Sequence, residues 1–440
     1  MEEKEIKRHK RAYAFLIFTT FFMYVVLTGA KNLYVAEKTT LQTLGSFGSY
    51  TDLAATMEYY FYAYAVMQIL LVFFIKKLNI KWFLTVTLGV SAVITILVAF
   101  TDTIVSHWVL YTVNGAMQAG IWGCSIKMLG KYLPERNLST ANKLMTSGPA
   151  VAGVVSYATA AAFGNNWKLP FIILGITLLV AVTLYFLAVT NVHRFPRIVE
   201  THHVIHADGT EEDVSDEEEK NDFIHLKSKK RKIVFYAISV FMSAMVTALF
   251  FTLNNTLDIF LKQVGGFDNT TAKLITILAP FLTIVGPTLC VNVCDKHANF
   301  IAVGVAFFVL SLLFAVLLRL FFDVHIALSL VLILAFLILS NGGRSISLSI
   351  ASLKMRDKID TGVYTTITNA AASISTGLMP KVFTAIVDNP ALGVAQSWQN
   401  GFTLVVVWNI AIVAILIGLV LWVRRLNQKD KQSESPVISD

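Results

Sequence analysis

The sequence predicts an all-α membrane protein of about twelve spanning helices, six on either side of one long polar segment. Three observations lead there. Of the 440 residues, 55% are hydrophobic and only 15% charged, with mean hydropathy +0.65, whereas a soluble domain carries roughly 25% charged residues. A helix needs about 20 mostly apolar residues to cross the hydrocarbon core, and about twelve stretches satisfy that requirement. Lysine and arginine gather in alternate connections between those stretches, as the orientation rule for membrane helices expects.

The first span, 12–36, follows the basic flank "KEIKRHKR". Its apolar stretch exceeds the roughly 7 to 15 residues of a signal-peptide core and no clean small-x-small cleavage pattern follows, so it is expected to remain as a helix. It carries Tyr24, Thr28, Lys31, Asn32 and Tyr34, with Glu37 just beyond. The second span, 54–76, sets Glu58, Tyr59 and Tyr62 near one end and Gln68 deeper. Tyrosines at a helix end suit an interfacial belt as well as a site. After the apolar third span, 81–101, the fourth, 107–130, places Asn114, Gln118, Trp122 and Ser125 three or four apart, one polar and aromatic stripe. The fifth and sixth spans are 140–163 and 168–190.

The acidic run "HADGTEEDVSDEEEKND" and the basic "KSKKRK" have no apolar periodicity and cannot build a core, so they are expected to form a linker. The chain then divides into an N-terminal six-helix bundle (1–191), a cytoplasmic linker (192–232), a C-terminal six-helix bundle (233–426) and a cytoplasmic tail (427–440).

The seventh span, 233–262, carries Asn254, Asn255 and Asp258 towards its end. The eighth, 270–293, holds Cys290, with Cys294 four residues on. No His or carboxylate completes a metal pattern, so these and Cys124 are expected to pack as small apolar residues, with no metal or other cofactor. The ninth span is 298–321, and the tenth, 325–353, contains Arg344 beside Gly342 and Gly343. At 1.5 Å per residue the guanidinium lies roughly 14 Å from the nearer end, too deep to snorkel. A charge there costs at least about 2.5 to 3.5 kcal/mol, so it should face protein or a water-filled path. A guanidinium suits a carboxylate or phosphate gripped in bidentate fashion, and equally an internal ion pair with a buried acid. Spans 360–387 and 399–424 complete the set.

With the N-terminus inside, "KEIKRHKR", "KKLNIK", "KYLPER", "KSKKRK", "CDKHAN", "KMRDK" and "RRLNQKDK" all fall on the cytoplasmic side. Both termini are therefore expected there, in a multi-pass protein of the cell membrane. The formal net charge of +8 is spread over these helix ends rather than gathered with aromatics into one patch, which argues against nucleic acid as a partner. The expected partners are the lipid bilayer, a small anionic solute and a coupling ion, H+ or phosphate, to a chain acting as a monomer. No P-loop, zinc-ligand pattern or Ser/His/Asp arrangement is present, so no catalytic residues are expected and the chain is not read as an enzyme.

Six spans, a long loop and six more resemble the plan of the major facilitator superfamily. "GAMQAGIWGCSIKMLGKYLPERNLSTANKLMTSGPAVAG", 115–153, resembles its fourth helix, its cytoplasmic turn with Glu135 and Arg136, and its fifth helix. "GPTLCVNVCDKHANF", 286–300, resembles its loop motif between helices eight and nine, with Gly286, Asp295 and Lys296 in matching places. Within the superfamily, "AKNLYVAEKTTLQ" and "LDIFLKQVGGFDNTTAKL" resemble the organophosphate:phosphate antiporter branch, which transports glycerol-3-phosphate and hexose phosphates. The chain diverges at that branch's phosphate-binding arginines. Ala30 and Phe250 or Phe251 stand in their places, Ser147 falls near its helix-five histidine, and Gln68 near its helix-two lysine.

The resemblance implies two pseudo-symmetric bundles that rock about a midplane site lined by the first, fourth, seventh and tenth spans. On that basis Lys31, Asn32, Tyr34, Gln68, Gln118, Trp122, Asn254, Asn255 and Arg344 are candidate substrate-binding residues. Glu37, Glu58 and Asp258 are candidates for coupling, and Glu135, Arg136, Asp295 and Lys296 for conformational gating. Two intramembrane cations, Lys31 and Arg344, favour a small organic anion, phosphorylated or carboxylated and sugar-like, moved by secondary active transport. Two further classes stay open: a multidrug or lipid exporter of the same fold, and a non-transporting membrane sensor of an external metabolite.

Overall fold

A computed structural model describes residues 3–74, 77–194, 203–205, 211–213, 229–297, 299–351, 355 and 361–434. Most of the expected linker and the end of the tail lie outside the described residues. Within the linker, β1 (His203–Ile205) pairs antiparallel with β2 (Glu211–Asp213).

The other regular elements among the described residues are helices. The first half holds α1 (Glu3–Thr43), α2 (Tyr50–Phe74), α3 (Ile80–Val98), α4 (Ile104–Gln118), α5 (Ile121–Tyr132), α6 (Glu135–Ala162) and α7 (Lys168–Val192). The second half begins with α8 (Lys229–Asn254), α9 (Leu257–Gln263), α10 (Asn269–Thr276), α11 (Leu278–Leu282) and α12 (Val285–Lys296). It continues with α13 (Phe300–Phe321), α14 (Ile326–Ser345), a π turn (Ile346–Ile350), α15 (Thr361–Val387) and α16 (Val394–Glu434).

Each expected span falls on one helix or on a broken series of short ones. Among the described residues nine helices are long and apolar enough to cross a membrane. The second, fourth and fifth expected spans correspond to α2, to α4 with α5, and to α6, and are not among those nine. α2 carries Asp52, Glu58 and five tyrosines. The fourth is interrupted at Ala119–Gly120, and α6 opens on the polar "ERNLSTANK".

Large apolar side chains such as Phe73, Phe100 and Val324 point outward. On a soluble protein such a surface would mark a binding site or an aggregation hazard; here it meets acyl chains. Inside, one buried cluster gathers residues of the second half with Tyr50, and two others lie within the first half. α1 packs on α6 and α7, α2 on α4, and α13 on α14 and α16. α15 packs on both α8 and α2, so it ties one half to the other.

The breaks position the site. In hydrocarbon each backbone group freed by a break needs an internal partner. Between α8 and α9 the Asn255 carbonyl accepts a hydrogen bond from Lys38 Nζ at 2.6 Å. At the start of α12, Pro287 has no N–H to offer the Thr283 carbonyl four residues earlier. That carbonyl accepts Asn341 Nδ2 of α14 at 2.9 Å instead. In the π turn, the Ser347 carbonyl accepts the Tyr364 hydroxyl at 2.9 Å.

α12 and α14 approach so closely that a Cβ on Gly286 would collide with the Ile338 carbonyl and the Gly342 amide. Backbone cannot swing aside as a side chain can. Gly286→Ala is therefore expected to cost about 1–3 kcal/mol by overpacking, seen as a lower unfolding temperature in detergent. Gly89→Ala, on a face with open space around it, should leave that temperature unchanged.

Candidate functional site

Between the two halves lies a cavity of about 320 Å³. α1 contributes Thr28, Lys31 and Asn32; α6 contributes Ser147, Pro149 and Tyr157; the end of α8 and the turn after it contribute Phe250, Phe251, Asn254 and Asn255. Thr283 and Pro287, at the break before α12, line it together with Asn341, Arg344 and Ser345 from α14. The cavity thus opens where the seventh and eighth spans are interrupted.

Arg344 is held on two sides. Its Nε donates to Asn341 Oδ1 at 2.9 Å, while its Cζ lies 5.0 Å and 5.3 Å from the ring centroids of Phe250 and Phe251. Because Asn341 Nδ2 is committed to the Thr283 carbonyl, the amide is fixed and so is the guanidinium edge it meets. Among the described residues no carboxylate pairs with Arg344. Lys31 faces the same cavity from the other half, its ammonium 5.4 Å from the Phe61 ring centroid and 6.0 Å from that of Tyr60. It too forms no ion pair among the described residues.

Of the residues singled out in the sequence, Lys31, Asn32, Asn254, Asn255 and Arg344 meet at this cavity. Four others lie off its lining. Tyr34 is buried in the first half, where its hydroxyl accepts from Thr56 at 3.0 Å and meets His107 Nδ1 at 3.2 Å. Gln118 accepts from the Tyr60 hydroxyl at 2.7 Å and donates to Ser91 at 2.8 Å and Asn114 at 3.0 Å. Trp122 packs against Tyr24 with centroids 5.6 Å apart, and Gln68 is half-buried on α2. Lys296 is exposed at the end of α12, whereas the side chains of Glu135, Arg136 and Asp295 lie outside the described ones.

Sequence reasoning passed over Asn341, Tyr157 and the two phenylalanine rings. For Asn341 a signal existed: it stands three residues before Arg344, one helical turn away on the same face.

Beyond the cavity, at the end where α1 terminates, charged side chains join the halves. Lys273 of α10 donates to Glu37 Oε2 at 2.7 Å and to Thr40 Oγ1 at 2.8 Å. Both partners of this ion pair are 0% exposed. Lys262 reaches the Thr39 carbonyl at 3.5 Å. Glu58 of α2 pairs with Lys381 of α15 at 2.6 Å and accepts the Tyr62 hydroxyl at 2.7 Å. Just past α15, Asp388 accepts the Tyr50 amide at 3.3 Å; partial burial raises its carboxyl above the usual carboxylate range, and that amide opposes the rise. Asp258 is fully buried with neither carboxylate oxygen hydrogen-bonded among the described residues. The charges of Lys38 and Lys273 act on it.

The sequence profile of the Major Facilitator Superfamily matches residues 13–380. A comparison with curated proteins found no match. Among solved structures, the fold is similar to a bacterial homolog of the human lysosomal transporter Spinster in an inward-facing and occupied conformation. That likeness has TM-score 0.69 and 13% identity, covering 93% of this chain and 97% of that one. A D-xylose-proton symporter is similar at TM-score 0.68 and 10% identity, covering 91% and 96%. The nucleoside transporter NupG is similar at TM-score 0.61 and 13% identity, covering 92% and 98%.

Removing one partner of a buried ion pair costs about 3–5 kcal/mol, because the other charge is left uncompensated. Lys273→Met is thus expected to loosen the sealed end, read as a longer distance between spin labels at the ends of α1 and α10. Glu37→Gln combined with Lys273→Met should restore most of the closed distance. If the double variant is as loose as the single one, the pair is not what holds this end.

Proposed function

The chain belongs to the major facilitator superfamily, a family of transporters and not of enzymes, and we propose that it moves a small organic anion across the cell membrane by alternating access. One observation carries this reading: Lys31 and Arg344 face one cavity from opposite halves, and neither is neutralised by a carboxylate among the described residues. Asn341 occupies Nε, so the terminal N–H groups of the guanidinium are left to grip a carboxylate or phosphate in bidentate fashion. Asn32, Asn254 and Asn255 supply neutral donors and acceptors for hydroxyl groups, which suits a sugar-like solute. A cavity of about 320 Å³ lies at the small end of the range of roughly 300–1,000 Å³ for ligand sites.

Within the superfamily we place the chain beside the organophosphate:phosphate antiporters on the strength of "AKNLYVAEKTTLQ". Its cationic anchor has moved to the tenth span. An anion bridging the halves would draw them together around it, and release on the far side requires the seal of Glu37, Lys273, Glu58 and Lys381 to part. The basic connections support a cytoplasmic position for both termini. Glu135, Arg136, Asp295 and Lys296 then fall at the cytoplasmic end and serve gating there, while Asp258 is the carboxylate best placed for coupling to a proton.

Counterflow in proteoliposomes, with hexose phosphates and sugar acids as probes, tests the reading. Exchange of at least one such anion is expected. Arg344→Ala should weaken its binding by about 2–5 kcal/mol, the usual cost of truncating a buried charged contact, while the protein stays folded. Lys31→Gln should weaken the same anion to a lesser degree. Unchanged affinity in folded Arg344→Ala removes the anchor assignment, and binding without counterflow identifies a sensor instead.

A further inference from the structure

At the opposite end of α1 from the seal, a second cavity of about 430 Å³ opens between α1 and α7, lined by Arg8, Arg11, Ala12, Phe15 and Asn191. Arg8, Arg11, Phe15 and Phe18 recur at helical spacing, so they stand on one face of α1. All four are exposed, Phe18 to 59%. Phe18 stacks on Phe22 of the next turn, with centroids 6.0 Å apart and planes 2° from parallel. The facing wall has the same grading: below Asn191, α7 exposes Leu187, Val180 and Ile176. Among the described residues no carboxylate pairs with Arg8 or Arg11.

We propose that this groove binds an anionic phospholipid, with its phosphate held by Arg8 and Arg11 and its acyl chains laid along Phe15, Phe18 and the apolar face of α7. Two guanidinium groups one turn apart can grip a phosphate diester through charge-assisted hydrogen bonds. Their position at the mouth of an apolar trough distinguishes a lipid from a free anion. From Arg8 to Phe18 the face runs about 15 Å along the axis at 1.5 Å per residue, which carries it from a headgroup into the acyl region. Basic pockets between membrane helices are suited to anionic headgroups. The site shares no residue with the central cavity and does not depend on what that cavity carries.

The test uses the full chain purified in detergent, with lipid retention read by native mass spectrometry and stability by thermal unfolding. Phosphatidylglycerol should be retained and should raise the unfolding temperature, whereas phosphatidylcholine and inorganic phosphate should not. Arg8→Gln with Arg11→Gln should weaken phosphatidylglycerol binding by about tenfold or more, at roughly 1 kcal/mol per basic residue at the membrane surface. Arg424→Gln with Arg425→Gln, an exposed pair on α16 away from the groove, should bind as the unaltered protein does. Both double variants change exposed side chains, so their unfolding temperatures without lipid serve as the folding control. The proposal fails if Arg8→Gln with Arg11→Gln leaves phosphatidylglycerol binding unchanged, or if the α16 variant loses as much. It fails equally if phosphatidylcholine binds as well, or if inorganic phosphate alone gives the shift.

Discussion

A missing hydrogen atom organises the centre of the molecule. Pro287 cannot serve the Thr283 carbonyl, and in hydrocarbon that carbonyl cannot turn to water. Asn341 reaches across from α14 to satisfy it, and its amide oxygen then receives the Arg344 guanidinium. One break in a backbone ladder thereby fixes a charge on a different helix. The close passage of α12 and α14 at Gly286 and Gly342 lets the asparagine span the gap.

The charges of α1 divide into two sets along its length. Lys31 looks into the cavity, while Glu37 and Lys38, about 9 Å further along at 1.5 Å per residue, engage α10 and the break after α8. A displacement of α1 that changes one set must change the other. Of the charged side chains at this end, those exposed to 2% or less are Glu37, Asp258, Lys38 and Lys273, two acids and two bases equal in formal charge. That balance matters because isolated charges at this depth would each carry a desolvation cost of several kcal/mol.

Much of this was legible in the sequence because the constraints involved are local. About 20 apolar residues in a row make a spanning helix whatever surrounds them, and a deep Arg344 has to face the interior. The direction a polar stripe takes inside a bundle is less local. Gln118 and Asn114 do form a stripe, but its partners are Tyr60 and Ser91 of the same half. Helical spacing cannot tell a neighbour within the bundle from a cavity between bundles, and Tyr34 misled for the same reason. Lys273 and Glu37 lie 236 positions apart, and no periodicity connects them. The polar character of α2 and α6 is likewise a tertiary matter, since it is tolerated only where protein covers it.

The π turn at Ile346–Ile350 changes what the tenth span is mechanically. A π turn absorbs one extra residue, so the i→i+4 ladder of the α-helix gives way there to wider i→i+5 bonds. The span therefore leaves its α-helical geometry directly after Arg344, and the turn couples that helix to α15. Tyr364, bonded to Ser347, anchors the turn to α15, the helix that bridges the halves. The guanidinium takes its bearing on Asn341 and the two phenylalanine rings from the α-helical side of that turn, so the contact between the turn and α15 is made outside the frame that holds the charge.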